Sequence, residues 1–159
     1  MPQQKPQTTT PRVQTIKSIA ENRRARFEYM ITQELECGIM LAGTEVKSLR
    51  QGKVQLSDGY AHLSGGELWL ENVHISPYTH GNIFNLEDKR KRKLLAHARE
   101  IDKLRVKLQD QGATLIPLKM YFKGNKVKVL IGLARGKKSH DKRQAIKERD
   151  AKRDIRNLE

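Results

Sequence analysis

The sequence predicts a mainly β protein: a small antiparallel barrel with two or three short helices and a disordered basic C-terminal tail. Three observations carry that expectation. Apolar residues recur at every second position in several separate runs, and glycine-containing turns join two pairs of those runs. From Arg135 onward, ten basic and five acidic residues leave almost no apolar surface to bury.

The elements follow in chain order. Residues 1–21 hold Lys5, Arg12 and Lys17, three prolines and little hydrophobic periodicity, which predicts a disordered basic arm. From Arg24 the pattern alternates, with Ala25, Phe27, Tyr29 and Ile31 on one face and Arg24, Arg26 and Glu28 on the other, as in a half-buried strand. Leu35, Cys37, Ile39 and Leu41 repeat the period in a second strand. Between Gly43 and Gly52, Val46 and Leu49 stand three apart and Thr44 is available as an N-cap, the pattern of a short helix.

Tyr60–Leu63 and Glu67–Ile75 flank Ser64, Gly65 and Gly66 and read as a hairpin. Ser76–Lys93 has no period and ends in five consecutive bases, Lys89–Lys93, so it is expected to be a long exposed loop. Leu94, Ala98, Ile101, Leu104 and Leu108 have helical spacing, with Gly112 placed as a C-terminal cap. Ile116–Phe122 and Val127–Leu133 alternate about a Lys123-Gly124-Asn125 turn, forming a second hairpin. The tail, 135–159, has helix-forming composition, with Ser139 as a possible cap and a Glu148–Lys152 pair, and is expected to become helical only against a partner.

About six strands and two helices of these lengths suggest an oligonucleotide-binding (OB) type barrel over residues 22–134, since closure removes exposed strand edges. An open antiparallel sheet under one helix satisfies the same periodicity. The 159 residues suit one domain with tails, and 36% apolar content fills one modest core. No stretch approaches the roughly 20 apolar residues that cross a bilayer, and Met1–Arg12 carries no apolar segment, so a cytoplasmic protein without a membrane is expected. The single cysteine, Cys37, forms no internal disulfide and no cysteine metal cage.

Charge points to the partner. With 32 Lys and Arg against 18 Asp and Glu, the chain carries a formal +14 and calls for a polyanion. No basic segment has the Trp-, Phe- or Leu-lined face of a membrane-surface helix, which leaves nucleic acid as the first candidate. Phe27, Tyr29, Trp69 and Phe122 stand at core-phased positions, so a sequential base-stacking platform is poorly supported, and structured RNA read by shape and backbone fits better.

Catalytic motifs fail on geometry. Ser139, His140 and Asp141 are consecutive and cannot align as nucleophile, base and orienter. Gly132–Ser139 has three residues where a phosphate loop needs four, and Lys138 stands where Ser or Thr should be. The five histidines lack zinc-motif spacing. No catalytic residue, metal ligand or cofactor is expected. The scattered His, Asp and Glu residues leave a nuclease as a remote alternative, and general structured-RNA binding as the nearer one.

Four blocks carry a resemblance: Asn22-Arg23-Arg24-Ala25-Arg26-Phe27-Glu28-Tyr29, Gly43-Thr44-Glu45-Val46-Lys47-Ser48-Leu49-Arg50, Arg92-Lys93-Leu94-Leu95, and Gly136-Lys137-Lys138-Ser139-His140-Asp141-Lys142-Arg143. In order and separation they resemble the SsrA-binding protein (small protein B, SmpB) family from about Ile19 to the C-terminus. The resemblance implies an OB-type barrel that binds the tRNA-like domain of transfer-messenger RNA and delivers it to stalled ribosomes in trans-translation, as a non-enzymatic adaptor. The tail would enter the empty messenger channel of the small subunit and become helical there. Elongation factor Tu is suggested as a further companion, and a monomer is expected.

Carried onto this chain, the resemblance marks Asn22, Arg24, Glu36, Lys47, Arg92, Lys93 and Leu95 as RNA contacts on the barrel. It marks Gly136, Lys137, Lys138, His140, Asp141, Lys142 and Arg143 at the decoding centre, with His140 stacking on a ribosomal base. Judged without the family, Lys47 is an ordinary solvated helix residue, Leu95 a core residue at even odds, Asn22 a turn residue, and His140 a soluble tail residue. Glu36 is the informative one, because a carboxylate on an RNA surface is unfavourable unless it makes a specific hydrogen bond.

Overall fold

The computed structural model describes residues 14–79, 87–110, 112–137 and 139–157. The strands are β1 (Ile16–Glu21), β2 (Tyr29–Ile39), β3 (Val54–Gln55), β4 (Tyr60–Ser64), β5 (Glu67–Glu71), β6 (His74–Ile75), β7 (Arg92–Leu95), β8 (Ala113–Lys123) and β9 (Lys126–Gly136). The helices are α1 (Ala25–Glu28), α2 (Gly43–Arg50), α3 (Ala98–Leu108) and α4 (Ser139–Asn157). The expected antiparallel sheet with helices is present, as a mixed α/β fold of one multi-stranded antiparallel sheet and several helices.

The sheet is built around the β8–β9 hairpin. Gly124 turns it at φ 61°, where a side chain would be strained, and Lys123 pairs with Lys126 across the turn. One side of β9 takes β2, from Tyr29 opposite Gly136 to Gly38 opposite Lys128. The far side of β8 takes β1 at its C-terminal half and β4 at Ala61 opposite Leu115. β4 pairs with β5, β5 with β7, and β7 with β2 through Gly38 opposite Leu95. The β4–β5 hairpin matches its sequence signature, since Gly65 and Gly66 both have positive φ, as a tight two-residue loop requires. β3 and β6 make a separate two-stranded pair.

Pro117 stands inside β8 without an N–H to donate, and the register shifts by a bulge between Pro117 and Lys119. The bulge turns Ile116 and Leu118 into a small cluster with Ala25 and Ala134, backed by Tyr29 and Ile31. Leu115, Met120 and Phe122 face the main core, with Cys37, Leu68, Leu70, Leu94 and Val129. α2 adds Leu49 and α3 adds Leu104 to this core, each buried leucine contributing about 1.5–3 kcal/mol.

Several expectations change. Ala25–Glu28 is one helical turn, closed by the N–H groups of Phe27 and Glu28 donating to Arg24 O at 3.1 and 2.9 Å, and the strand starts at Tyr29. The two short strands expected across 25–41 are one strand of eleven residues, bulged between Ile31 and Gln33. Ile16–Glu21, read as part of the arm, forms β1, whose order comes from the edge of β8 that it pairs with. Residues 1–13 of that arm lie outside the described residues. Leu94 belongs to β7 and α3 starts at Ala98, with His97 N–H donating to Glu100 Oε2 at 3.1 Å. Thr44 does not cap α2; Ala42 precedes it, and its N–H donates to Glu45 Oε1 at 2.9 Å.

The aromatic residues also redistribute. Only Phe122 of the four is fully in the core; Trp69 is half-buried on the outer face of β5, between fully buried Leu68 and Leu70. The tail, expected to be disordered and to become helical only against a partner, contains the helix α4, exposed along most of its length. Its helix-forming composition and an Asp150–Arg153 ion pair at 3.3 Å explain a local helix without a packed core.

Candidate nucleic-acid interface

The site begins with the pleat of β2. Leu35 and Cys37 turn toward the core, leaving Glu34, Glu36 and Gly38 on the outer face. Gly38 carries no side chain, so Leu95 of β7 settles over it; a Cβ there would lie 3.3 Å from Leu95 Cβ. The result is a groove of about 900 Å3 walled by Glu36, Leu95, His97, Lys126 and Lys128. Leu95 is 49% exposed on that wall, so it is a surface residue and not a core one.

Glu36 is held in place from across β9. Tyr121 Oη donates to its carboxylate, and Lys123 Nζ donates to Oε1 at 3.1 Å, both reaching over from β8. The Tyr121 hydrogen bond holds the Glu36 carboxyl below its ordinary range; partial burial opposes this, and Lys123 and Lys128 reinforce it. Burial and the neighbouring carboxylate push the Tyr121 phenol up, so it stays a donor. An ionised carboxylate with two fixed donors keeps lone pairs free for a guanine edge or a ribose hydroxyl.

The other expected contacts divide. Asn22 is 9% exposed: its Nδ2 donates to Pro117 O at 3.1 Å and its N–H to Leu118 O at 2.8 Å, so it fastens the chain to the β8 bulge. Together with exposed Arg24 it borders a separate cleft of about 400 Å3 that also includes Tyr60 and Asn72. Lys47 is exposed on α2, its Nζ 5.4 Å from the Tyr78 ring centroid. Lys93 lies on the outer face of β7 with Nζ 3.0 Å from Glu67 Oε1.

Arg92 is a correction. Expected on an exposed basic loop to neutralise phosphate, it is 1% exposed and starts β7. Its Nε donates to Glu45 Oε2 at 2.6 Å, Nη1 to Val73 O at 2.8 Å and Nη2 to Asp88 O at 2.9 Å, leaving the guanidinium committed inside the protein.

In the tail, Gly136 ends β9 opposite Tyr29. Lys137 N–H donates to Glu28 O at 3.1 Å and its Nζ to Arg26 O at 2.8 Å, anchoring the tail's root to α1. Lys138 and the side chains of His140 and Asp141 lie outside the described residues. Lys142 is half-buried and Arg143 exposed on α4. Among the described residues no group of His, Cys, Asp and Glu is arranged to hold a metal ion. Among the described residues no helix is long and apolar enough to cross a membrane.

The family described as SmpB protein matches residues 19–158. The chain belongs to the SmpB family. It is 57% identical over 139 residues to the SsrA-binding protein of Carboxydothermus hydrogenoformans, covering 87% of this chain and 93% of the relative. It is 55% identical over 142 residues to the SsrA-binding protein of Thermosynechococcus vestitus, covering 89% and 93%. A solved structure described as "tmRNA-SmpB: a journey to the center of the bacterial ribosome" superposes with a TM-score of 0.66 at 50% identity, covering 80% of this chain and 93% of that one.

Within this SmpB-family chain, the sequence reading missed two groove-lining residues, Lys126 and Lys128, and the two residues that hold Glu36 from β8, Tyr121 and Lys123. Their signal was present in the alternation of β8 and β9, which turns Tyr121 and Lys123 away from Met120 and Phe122, and Lys126 and Lys128 away from Val127 and Val129. Ranking basic residues by consecutive runs, as at Lys89–Lys93, overlooks cations spaced by a pleat.

Proposed function

We propose that this chain is a non-catalytic RNA-binding adaptor that binds the tRNA-like domain of transfer-messenger RNA and delivers it to stalled ribosomes in trans-translation. The carrying observation is the convergence of Glu36, Leu95, Lys126 and Lys128 on one groove, in a chain whose family match spans residues 19–158. The carboxylate reads a donor on the RNA, the leucine packs on a sugar or base face, and the lysines neutralise phosphates.

The strand pairings run β8–β4–β5–β7–β2–β9 and return from β9 to β8, which supports an OB-type barrel as the gripping body. Asn22, Arg24, Lys47 and Lys93 extend its contacts. Residues Gly136–Arg143 address the decoding centre, and α4, unencumbered by a core of its own, suits an empty messenger channel. The protein acts as a cytoplasmic monomer, with elongation factor Tu as a companion in the delivery complex.

Binding to the isolated tRNA-like domain, measured against salt with ordinary tRNA as competitor, tests this reading. A log–log slope of about −0.7 to −0.9 per phosphate neutralised is expected, with ordinary tRNA competing poorly. A complex indifferent to salt, or one displaced equally by any tRNA, overturns it in favour of general RNA binding or none.

A further inference from the structure

We propose that the outer face of β4, β5 and β7 around Trp69 is a second RNA-contacting surface, where a base stacks on the indole and Lys91 takes the adjoining phosphate. The inference rests on the RNA-binding reading above and extends it beyond the groove. Leu68 and Leu70 are fully buried, so the pleat turns Trp69 outward, and its cross-strand neighbours are His62 on β4 and Lys93 on β7. A half-buried indole therefore lies on the outer face with a cation beside it.

The charges around it are mostly spoken for. Lys93 pairs with Glu67 at 3.0 Å. Glu71 Oε2 accepts from Tyr60 Oη at 2.9 Å and lies 3.0 Å from His62 Nε2, near enough for an ion pair but not aligned as a hydrogen bond. Lys91 has no carboxylate partner among the described residues; its Nζ rests 4.7 Å from the Trp69 ring centroid. An ammonium on an aromatic face is a weak arrangement in water and yields to a phosphate, which uncovers that face for a base. The same outer face continues along β7 from Lys93 to Leu95, where the groove begins, so one RNA can span both.

Trp69 is the only tryptophan in the chain, so its emission reports this face alone. The full chain is titrated with transcribed tRNA-like domain while affinity is read independently by filter binding. Indole emission is expected to be quenched as the complex forms. W69A should weaken binding about tenfold, W69F should recover most of the loss, and K91A should reduce the salt slope by about one phosphate. RNA that binds while the wild-type emission stays unchanged and W69A keeps full affinity overturns this inference and leaves the adaptor reading standing. RNA that does not bind at all overturns both.

Discussion

Arg92 Nε donates to Glu45 Oε2 at 2.6 Å, with 1% and 6% of the two side chains exposed, and Arg90 closes on the same carboxylate from the loop. This interlock ties α2 to the start of β7. Burial pushes the Glu45 carboxyl up, but hydrogen bonds from Arg90, the Ala42 N–H and Arg92 outweigh it and hold it below its ordinary range. Arg92→Ala is expected to destabilise the fold by about 3–5 kcal/mol, since it breaks a buried ion pair that Arg90 only partly replaces and removes the donor to Val73 O. At a temperature where the variant is folded, the salt slope of RNA binding should be unchanged, because no phosphate contact is lost. A slope reduced by one phosphate would return Arg92 to the binding surface.

The same carboxyl sets an acid limit. A depressed folded value contributes stability that is present above the unfolded carboxylate range and lost as pH falls through the folded value. Chemical denaturation from pH 7 downward should show stability declining below about pH 5, with a shallower decline in Glu45→Gln. Identical pH profiles for the two proteins would remove Glu45 from the account.

At the groove, Tyr121→Phe deletes only the hydroxyl that fixes Glu36. RNA affinity should fall severalfold in Tyr121→Phe and more in Glu36→Gln, and the double variant should resemble Glu36→Gln alone, because Tyr121 acts through the carboxylate. Additive losses in that cycle would mean that Tyr121 touches RNA on its own account.

The strands that can be read from sequence are those with a buried face throughout. Val127, Val129, Ile131 and Leu133 alternate because one face of β9 meets the core, and the hairpin at Gly65 and Gly66 announces itself through backbone angles that other residues avoid. Ile16–Glu21 has no such face, since its order is borrowed from β8. The Arg92 error has a similar origin. A run of five bases looks solvated until the fold brings Glu45, 47 positions away in sequence, underneath it. Glu36 and Leu95 were marked through family resemblance, but the Tyr121–Glu36 contact spans an intervening strand and depends on strand order that periodicity does not encode.

Cys37 lies 1% exposed beneath the groove floor, and burial, with a smaller effect from Glu100, pushes its thiol up to about 12. The fold thus withholds the thiolate, whereas an unfolded thiol ionises near 8.5. Iodoacetamide at pH 8 should leave the native protein unmodified and label it stoichiometrically in denaturant, as read by mass. Rapid labelling of the folded protein would mean that the floor opens.

The last expectation separates body from tail. β9 ends at Gly136, and Lys137 holds the tail's root through its bonds to Glu28 O and Arg26 O, so a truncation that keeps Lys137 leaves these anchors intact. Beyond it, Arg149 over the Phe27 ring at 5.8 Å is an exposed contact between α4 and the body, of a kind worth about 0.5–1 kcal/mol. Removing residues 138–159 should therefore shift the melting temperature by only a few degrees and leave affinity for the tRNA-like domain nearly unchanged, since the groove and the Trp69 face are untouched. Release of stalled ribosomes in a reconstituted translation system should nevertheless be lost, because the truncated chain has nothing to place in the messenger channel. Loss of RNA binding alongside rescue would mean that the tail belongs to the grip itself, and full rescue by the truncated chain would mean that the body alone recognises the vacant channel.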